Sequence, residues 1–136
     1  MDKPTIVRLE DTPTVDFGPL AHYRPIIGDD VGSTPVRTGI QVSQPGYVAP
    51  MHSHPYIEIL HVLEGEAEAW IEGREAEAVR LGPGDTIAMP PETPHSFRVV
   101  GDRPMRLLGT HVSPKRIVSY RDGANKSDAQ GYLVRD

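Results

Sequence analysis

Three histidines and one glutamate form the pattern in this chain that is best suited to chemistry. His52 and His54 stand two positions apart, and Glu58 follows four residues after His54. Alternate residues of an extended strand lie on one face, so these three side chains would point the same way. His95 follows a proline-rich turn, and it can face them if the sheet closes into a barrel. Because imidazole and carboxylate groups bind manganese, iron, nickel, cobalt or zinc, the pattern predicts one divalent metal ion per chain.

The number of ligands bears on which ion would be useful for catalysis. Three imidazoles and one carboxylate would saturate a tetrahedral zinc ion, whereas a catalytic zinc usually keeps one position open. An octahedral ion would keep two positions for substrate oxygens, water or dioxygen. Iron(II), manganese, nickel or cobalt therefore suit catalysis better, although the metal found in a purified sample also depends on affinity and supply.

Two further residues are candidates for a catalytic role beside the metal. Tyr56 shares strand parity with His54 and Glu58, so its hydroxyl group could donate a hydrogen bond to a substrate. The same parity fits a half-buried strand aromatic with no role in chemistry. His111 is predicted on the last strand. It could lie beside the metal ligands or in the pocket, or it could be a solvent-facing or structural histidine.

The segments around these residues have the alternation and spacing of short β-strands. Val36, Thr38, Ile40 and Val42 alternate with polar or small residues, which predicts a strand. Further strands are predicted at residues 49–63, 67–72, 77–81, 86–89, 95–100 and 105–112. Strands separated by turns at intervals of roughly 8 to 12 residues are typical of a sandwich or barrel. The sequence therefore predicts an all-β fold, with a barrel at residues 36–113.

The two ends of the chain are predicted to lie outside the barrel. Residues 1–35 are polar and broken by prolines, which indicates an N-terminal arm with a short strand at 6–9. Residues 114–136 are predicted as a C-terminal segment with a short helix at 114–120. The apolar run 132–134 near its end is expected to pack on the barrel or on a partner chain.

Composition and charge exclude several classes of function. The chain has no cysteine, so disulfides, iron–sulfur clusters and thiol nucleophiles are excluded. Its net charge is −5 and its basic residues are scattered, so we expect no nucleic-acid binding. It lacks both the apolar core of a secretory signal and the roughly 20 apolar residues of a membrane span. We therefore expect a cytoplasmic protein that does not bind membranes.

The first histidine pattern resembles the first motif of the cupin family. That motif reads Gly, five residues, His-x-His, three or four residues, Glu, six residues, Gly. Gly46, His52, His54, Glu58 and Gly65 satisfy every position of it.

The second cupin motif is matched more loosely. It reads Gly, five residues, Pro-x-Gly, two residues, His, three residues, Asn, and Gly84, Pro90 and His95 fit it. Glu92 stands where the family often has glycine, and Val99 stands where it often has asparagine. These departures do not touch a ligand, but they leave the geometry of the turn before His95 open.

The resemblance implies a fold, a ligand set and an assembly. The fold would be a double-stranded β-helix, a jelly-roll-like barrel with the metal inside its mouth. The metal ligands would be His52, His54, Glu58 and His95, and the protein would form a homodimer. Trp70 has the opposite parity to Ala67 and Ala69, so it is predicted to point outward, toward a dimer partner or the N-terminal arm.

Three classes of function are compatible with this resemblance. The first is a metal-dependent enzyme acting on a small organic molecule, with dioxygenase chemistry slightly favoured over isomerase, decarboxylase or lyase chemistry. The second is a small-molecule-binding or sensor protein without catalysis. Regulatory cupins usually carry a DNA-binding domain, and we expect none in this chain. The third, a structural barrel with vestigial metal residues, ranks last because all four ligands are present.

Overall fold

The computed structural model describes residues 3–134, which fold into two antiparallel β-sheets. One sheet has the spatial order β1 (Val15–Asp16), β2 (Ala21–Ile27), β3 (Arg37–Ser43), β10 (Met105–His111), β5 (Glu58–Glu64) and β8 (Thr86–Met89). The other has the order β11 (Ser119–Tyr120), β4 (His52–Ser53), β9 (His95–Val100), β6 (Glu66–Ile71) and β7 (Val79–Leu81). The predicted all-β, double-stranded β-helix barrel is confirmed.

The core lies between the two sheets and follows the period of two within each strand. In β10, Met105, Leu107, Gly109 and His111 are buried, and the residues between them are only partly covered. The inward apolar side chains lose their contact with water, which stabilises the barrel. His111 is thus carried inward by the same alternation that buries the apolar side chains of its strand.

The sheet begins earlier in the chain than the sequence predicts. Strands β1 and β2 both come from the segment predicted as an arm, and β2 pairs along most of β3. The strand expected at residues 6–9 is absent, and a 3₁₀ turn occupies Leu9–Asp11 instead. The sequence did not predict β2 because Pro25 lies within it and proline is disfavoured inside strands. It lies beyond the two residues that pair with β1, next to a shift in register, where proline is tolerated.

The C-terminal segment also differs from its prediction. The helix expected at residues 114–120 is absent, and β11 pairs with β4 there, with Tyr120 opposite His52. Further on, Tyr132 is buried and its ring lies 6.3 Å from that of Phe17 and 6.0 Å from that of Tyr23. The tail therefore packs on strands of its own chain. Within residues 3–134, no helix has the length and apolar character needed to cross a membrane.

Trp70 faces away from the core, but its own chain covers it. Its exposed fraction is 8%, and the guanidinium carbon of Arg98 lies 4.7 Å from the centre of its ring. Arg98 is held there by Glu68 at 3.3 Å and Glu75 at 2.9 Å. A partner chain is therefore not needed to shield this tryptophan from water.

The turn before β9 contains a strained residue. Glu92 has a φ of 59°, the sole positive φ among the non-glycine residues of the part of the chain that the structure describes. Its backbone N–H donates a hydrogen bond of 2.7 Å to the carbonyl oxygen of His54. Side chains with a Cβ atom are disfavoured in this left-handed region by about 1–2 kcal/mol. The cupin motif has glycine at this position, and the structure gives the physical reason.

We expect Glu92→Gly to raise the free energy of unfolding by about 0.5–1 kcal/mol, because glycine adopts a positive φ without steric cost. Urea unfolding measures this change. Glu92→Ala is the matched control, since it removes the same carboxylate but keeps the Cβ atom. Equal changes in the two variants would show that the backbone conformation is not the source of the effect.

Candidate metal centre

The four predicted ligands come together, although they do not share one strand. His52 lies on β4 and pairs directly with His95 on β9. The chain then crosses to the other sheet, where Glu58 begins β5. One ligand atom from each of His52, His54, Glu58 and His95 lies within 4.8 Å of every other. The residues that strand parity singled out do come together, but the crossover between sheets, and not one shared strand, brings the carboxylate to the imidazoles.

Each of the three ligand histidines is held through its Nδ1 atom. The partner is in each case a backbone carbonyl oxygen, which can only accept, so each Nδ1 carries the proton. Nε2 is then left with its lone pair, which is the form that binds a metal. The acceptors are Pro50 at 2.6 Å from His52, Ile117 at 2.6 Å from His54 and Thr93 at 2.8 Å from His95.

The contacts between these Nε2 atoms and Glu58 fit a cation. Nε2 of His95 lies 2.8 Å from Oε1 of Glu58, and Nε2 of His54 lies 3.2 Å from Oε2. The buried Nε2 of His54 makes no hydrogen bond of acceptable geometry, despite that short distance. With both Nδ1 atoms already donating, the lone pairs of nitrogen and carboxylate would face each other and repel. A proton on Nε2 removes this repulsion at His95, and a divalent cation bound in place of that proton would remove it at both histidines, so the donor set fits a metal ion.

Burial and short contacts set the charges of these groups. Burial alone would raise the pKa of Glu58, but the contacts with His111, His54 and His95 hold that pKa well below its usual range. Burial lowers the pKa of His52 to about 3, so this imidazole is neutral and able to bind a metal. Burial also acts to lower the pKa of His95, but Glu58 outweighs it and raises that pKa. The centre therefore combines an ionised carboxylate with imidazoles around it.

His111 joins the centre in a role different from that of the three ligands. Its Nε2 lies 2.9 Å from Oε2 of Glu58, and its Nδ1 lies 2.6 Å from the hydroxyl oxygen of Tyr56. The backbone N–H of Ile117 donates to the same hydroxyl oxygen at 3.1 Å. The proton of Tyr56 has two acceptors within reach, Nδ1 of His111 at 2.6 Å and the carbonyl oxygen of Ile117 at 3.3 Å. Donation to the nearer acceptor leaves His111 donating from Nε2 to the carboxylate. His111 therefore positions Glu58, and Tyr56 fixes the tautomer of His111.

A cavity that is partly open to solvent lies inside the barrel. His52, Glu58, His95 and His111 form its polar wall. The rest of its lining includes the apolar side chains Leu60, Phe97, Leu107 and Leu133. This combination of apolar walls and a few converging polar groups is typical of sites for small organic molecules.

Tyr56 occupies a different place from the one predicted. Its side chain is buried, and its ring stacks on that of His54 at a centroid distance of 5.1 Å. It does not line the cavity, and its hydroxyl group is engaged by His111 and Ile117. The expectation that Tyr56 donates a hydrogen bond to a substrate is not supported by this placement.

Sequence reasoning missed other polar residues of the cavity. Tyr23 and Tyr120 line it, as does Arg116. Tyr23 enters the barrel above Gly39, where a Cβ atom would come within 2.0 Å of its hydroxyl oxygen. These residues belong to β2 and to the segment after β10, which were not predicted to contribute strands. A glycine in the middle of a predicted strand was the one available signal for this close approach.

Fold and site together define a small β-barrel protein with a buried group of three histidines and one glutamate beside a cavity. A family model described as "Cupin domain" matches residues 39–111, which is more than half of the chain. The chain therefore belongs to the cupin family.

Two curated relatives match part of the chain. The chain is 44% identical over 63 residues to dimethylsulfoniopropionate lyase DddQ of Ruegeria pomeroyi, covering 46% of this chain and 30% of the relative. It is 33% identical over 73 residues to the uncharacterized HTH-type transcriptional regulator YobQ of Bacillus subtilis, covering 54% of this chain and 29% of the relative. Each match thus spans less than a third of the relative's own length.

A solved structure supports the fold. Oxalate decarboxylase of Bacillus subtilis, studied for its Mn(II) centers, superposes with a TM-score of 0.70 at 18% identity. The match covers 84% of this chain and 31% of that chain. At this identity the likeness establishes the barrel and nothing about the reaction.

We expect His52→Ala to lose most of the metal that the parent protein binds, because one of four ligands is removed. Elemental analysis of the purified proteins after loading with zinc or manganese measures this. His61→Ala is the matched control, since His61 is partly exposed and bonded to Thr86 at 2.7 Å. Equal metal content in His52→Ala and the parent would remove the basis of the proposed centre.

We expect His111→Gln to weaken metal binding about 10- to 100-fold without abolishing it, because it removes the group that positions Glu58. Competition with a chelator measures the affinity, and His22→Gln is a histidine control on β2. A loss of binding as large as that expected for His52→Ala would make His111 a ligand. An unchanged affinity would exclude the positioning role.

Proposed function

We propose that this protein is a metal-dependent enzyme that acts on a small organic molecule inside the barrel. One observation carries the proposal: His52, His95 and the ionised Glu58 line a cavity with apolar walls, and His54 completes with them a group of four possible metal ligands. A structural barrel would have no need of a buried carboxylate surrounded by four histidines, since such a group is costly to bury.

The chain's own residues supply binding, orientation and hydrogen bonds. A divalent ion held by His52, His54, Glu58 and His95 would act as a Lewis acid on a substrate oxygen. Burial raises the pKa of Tyr23 to about 12 and also raises that of Tyr120, so both hydroxyl groups stay protonated near neutral pH. They are therefore hydrogen-bond donors on the cavity wall.

Lyase chemistry is our first candidate for the reaction. The relative with the higher identity is named as a lyase, and its match to this chain spans 63 residues. An elimination removes a proton from one carbon and expels a leaving group from the next. A metal bound here would polarise a substrate oxygen and so acidify that proton, and the hydroxyl groups of Tyr23 and Tyr120 would hydrogen-bond to the substrate. Dioxygenase chemistry is the second candidate, because four ligands leave two positions open on an octahedral ion.

The non-catalytic alternative is a small-molecule sensor. The second relative, named as an uncharacterized transcriptional regulator, is the observation that favours it. The same cavity would serve either purpose, so turnover is the property that separates an enzyme from a sensor. Homodimer formation, the absence of nucleic-acid and membrane partners, and a cytoplasmic location stay predictions.

We expect the metal-loaded protein to consume at least one compound of a defined panel. Proton NMR would follow dimethylsulfoniopropionate and small carboxylic acids, and an oxygen electrode would follow the iron-loaded protein with diketones, thiols and phenols. Glu58→Gln should lower any such rate by more than about 100-fold, because changes outside the ligand set already cost 10- to 100-fold. Consumption of oxygen alone would favour the dioxygenase over the lyase.

Metal-stripped protein is the control for this experiment. If no compound is consumed and a co-purified molecule is released unchanged after denaturation, the protein is a sensor and the enzymatic proposal is wrong. Turnover that survives both metal removal and Glu58→Gln would contradict the role of the metal centre.

A further inference from the structure

Arg116 lines the same cavity as the metal centre. It follows β10 in the segment that returns to pair with β4, and its neighbour Ile117 anchors His54 through the backbone carbonyl. The hydrogen bond between Ile117 and His54 therefore fixes the backbone of Arg116 beside a candidate metal ligand. Neither cupin motif contains this residue, and the metal centre described above does not use it.

Aromatic rings hold the guanidinium group in place. Its central carbon lies 5.3 Å from the ring centre of Phe17 and 5.3 Å from that of Tyr132. Phe17 comes from the segment after β1, and Tyr132 comes from the C-terminal tail. Contacts of this kind stabilise a cation over the face of a ring, but they leave its N–H groups without an acceptor.

One donor of this guanidinium group is buried and unpaired. Nη1 of Arg116 is shielded from solvent and has no hydrogen-bond partner within residues 3–134. The ion pairs found in that range do not include Arg116, whereas Arg37, Arg80, Arg98 and Arg121 each have a carboxylate partner. A buried donor without an acceptor costs about 1–3 kcal/mol, and more if it is charged, so an anionic partner would remove a substantial penalty.

We propose that the cavity binds a small organic anion whose carboxylate group pairs with Arg116 while another part of the molecule faces the candidate metal ligands that line the cavity. The guanidinium group is planar and presents paired N–H donors, which match the two oxygens of a carboxylate. The apolar lining between the two polar sites accommodates the carbon skeleton. This inference deepens the proposed function and rests on it for the metal, but anion binding is measured separately from turnover.

The test is a titration of the zinc-loaded protein with propionate and, separately, with its neutral analogue propionamide at constant ionic strength. Amide chemical shifts in proton–nitrogen NMR spectra report binding. In Arg116→Met, which keeps much of the aliphatic stem, we expect propionate binding to weaken about tenfold or more. Propionamide binding should be unchanged. Arg103→Met is the matched control, because it removes the same charge from an exposed turn and should bind both probes like the parent.

Two outcomes would overturn the proposal. The first is propionate binding that is the same in Arg116→Met and the parent. The second is an equal loss of propionate and propionamide binding, which would mean that the cavity itself has changed. If Arg116→Met does not give a folded spectrum, Arg116→Lys replaces it. Severalfold weaker propionate binding is then expected, and an unchanged affinity would contradict the guanidinium–carboxylate pair.

The same titration in His52→Ala separates this inference from the proposed function. That variant is expected to lack metal, yet the preference for propionate over propionamide that depends on Arg116 should persist. Loss of turnover with retained anion preference would leave the inference standing and the enzymatic proposal wrong. If turnover is retained and Arg116→Met does not change the affinity for propionate, the enzymatic proposal stands and the inference about Arg116 is wrong.

Discussion

The rest of the site depends on one buried negative charge, the carboxylate of Glu58. Burial would favour its neutral form, and only the surrounding imidazoles keep it ionised. Three histidines contact its oxygens: His54, which follows β4, His95 on β9 and His111 on β10. Residues from both sheets thus meet at this carboxylate. The distance between the sheets at this end of the barrel therefore determines whether the imidazoles can stabilise the charge.

The residues around Glu58 divide into two groups by the position of a proton. The candidate ligand histidines donate from Nδ1 to backbone carbonyls, which leaves Nε2 for the centre, whereas His111 has Tyr56 at its Nδ1 and directs Nε2 at Glu58. Hydrogen bonds outside the metal centre therefore determine which histidines can bind the ion and which one positions Glu58. No feature of the four-residue spacing in the sequence carries this information.

The sequence predicted the central barrel well, because strands and turns depend on local patterns. Strands β8 and β9 begin and end where alternation and turns placed them, and the two motifs contain the four residues that the structure brings together. It failed where the structure depends on distant pairing. Pro25 concealed β2, and the C-terminal segment forms β11 because it pairs with β4 rather than because of its own propensity. The cavity residues Tyr23 and Arg116 lie in these two regions and were missed for that reason.

The hydrogen bond from His54 to the carbonyl oxygen of Ile117 links the metal centre to the tail that covers the cavity. Thermodynamic coupling between two such sites is reciprocal. An ion that fixes His54 favours the docked tail, and a docked tail raises affinity for the ion by the same factor. Docking of the tail and loading of the metal are thus expected to behave as cooperative events. Sequence variation in residues 114–118 would then tune metal affinity from outside the ligand set.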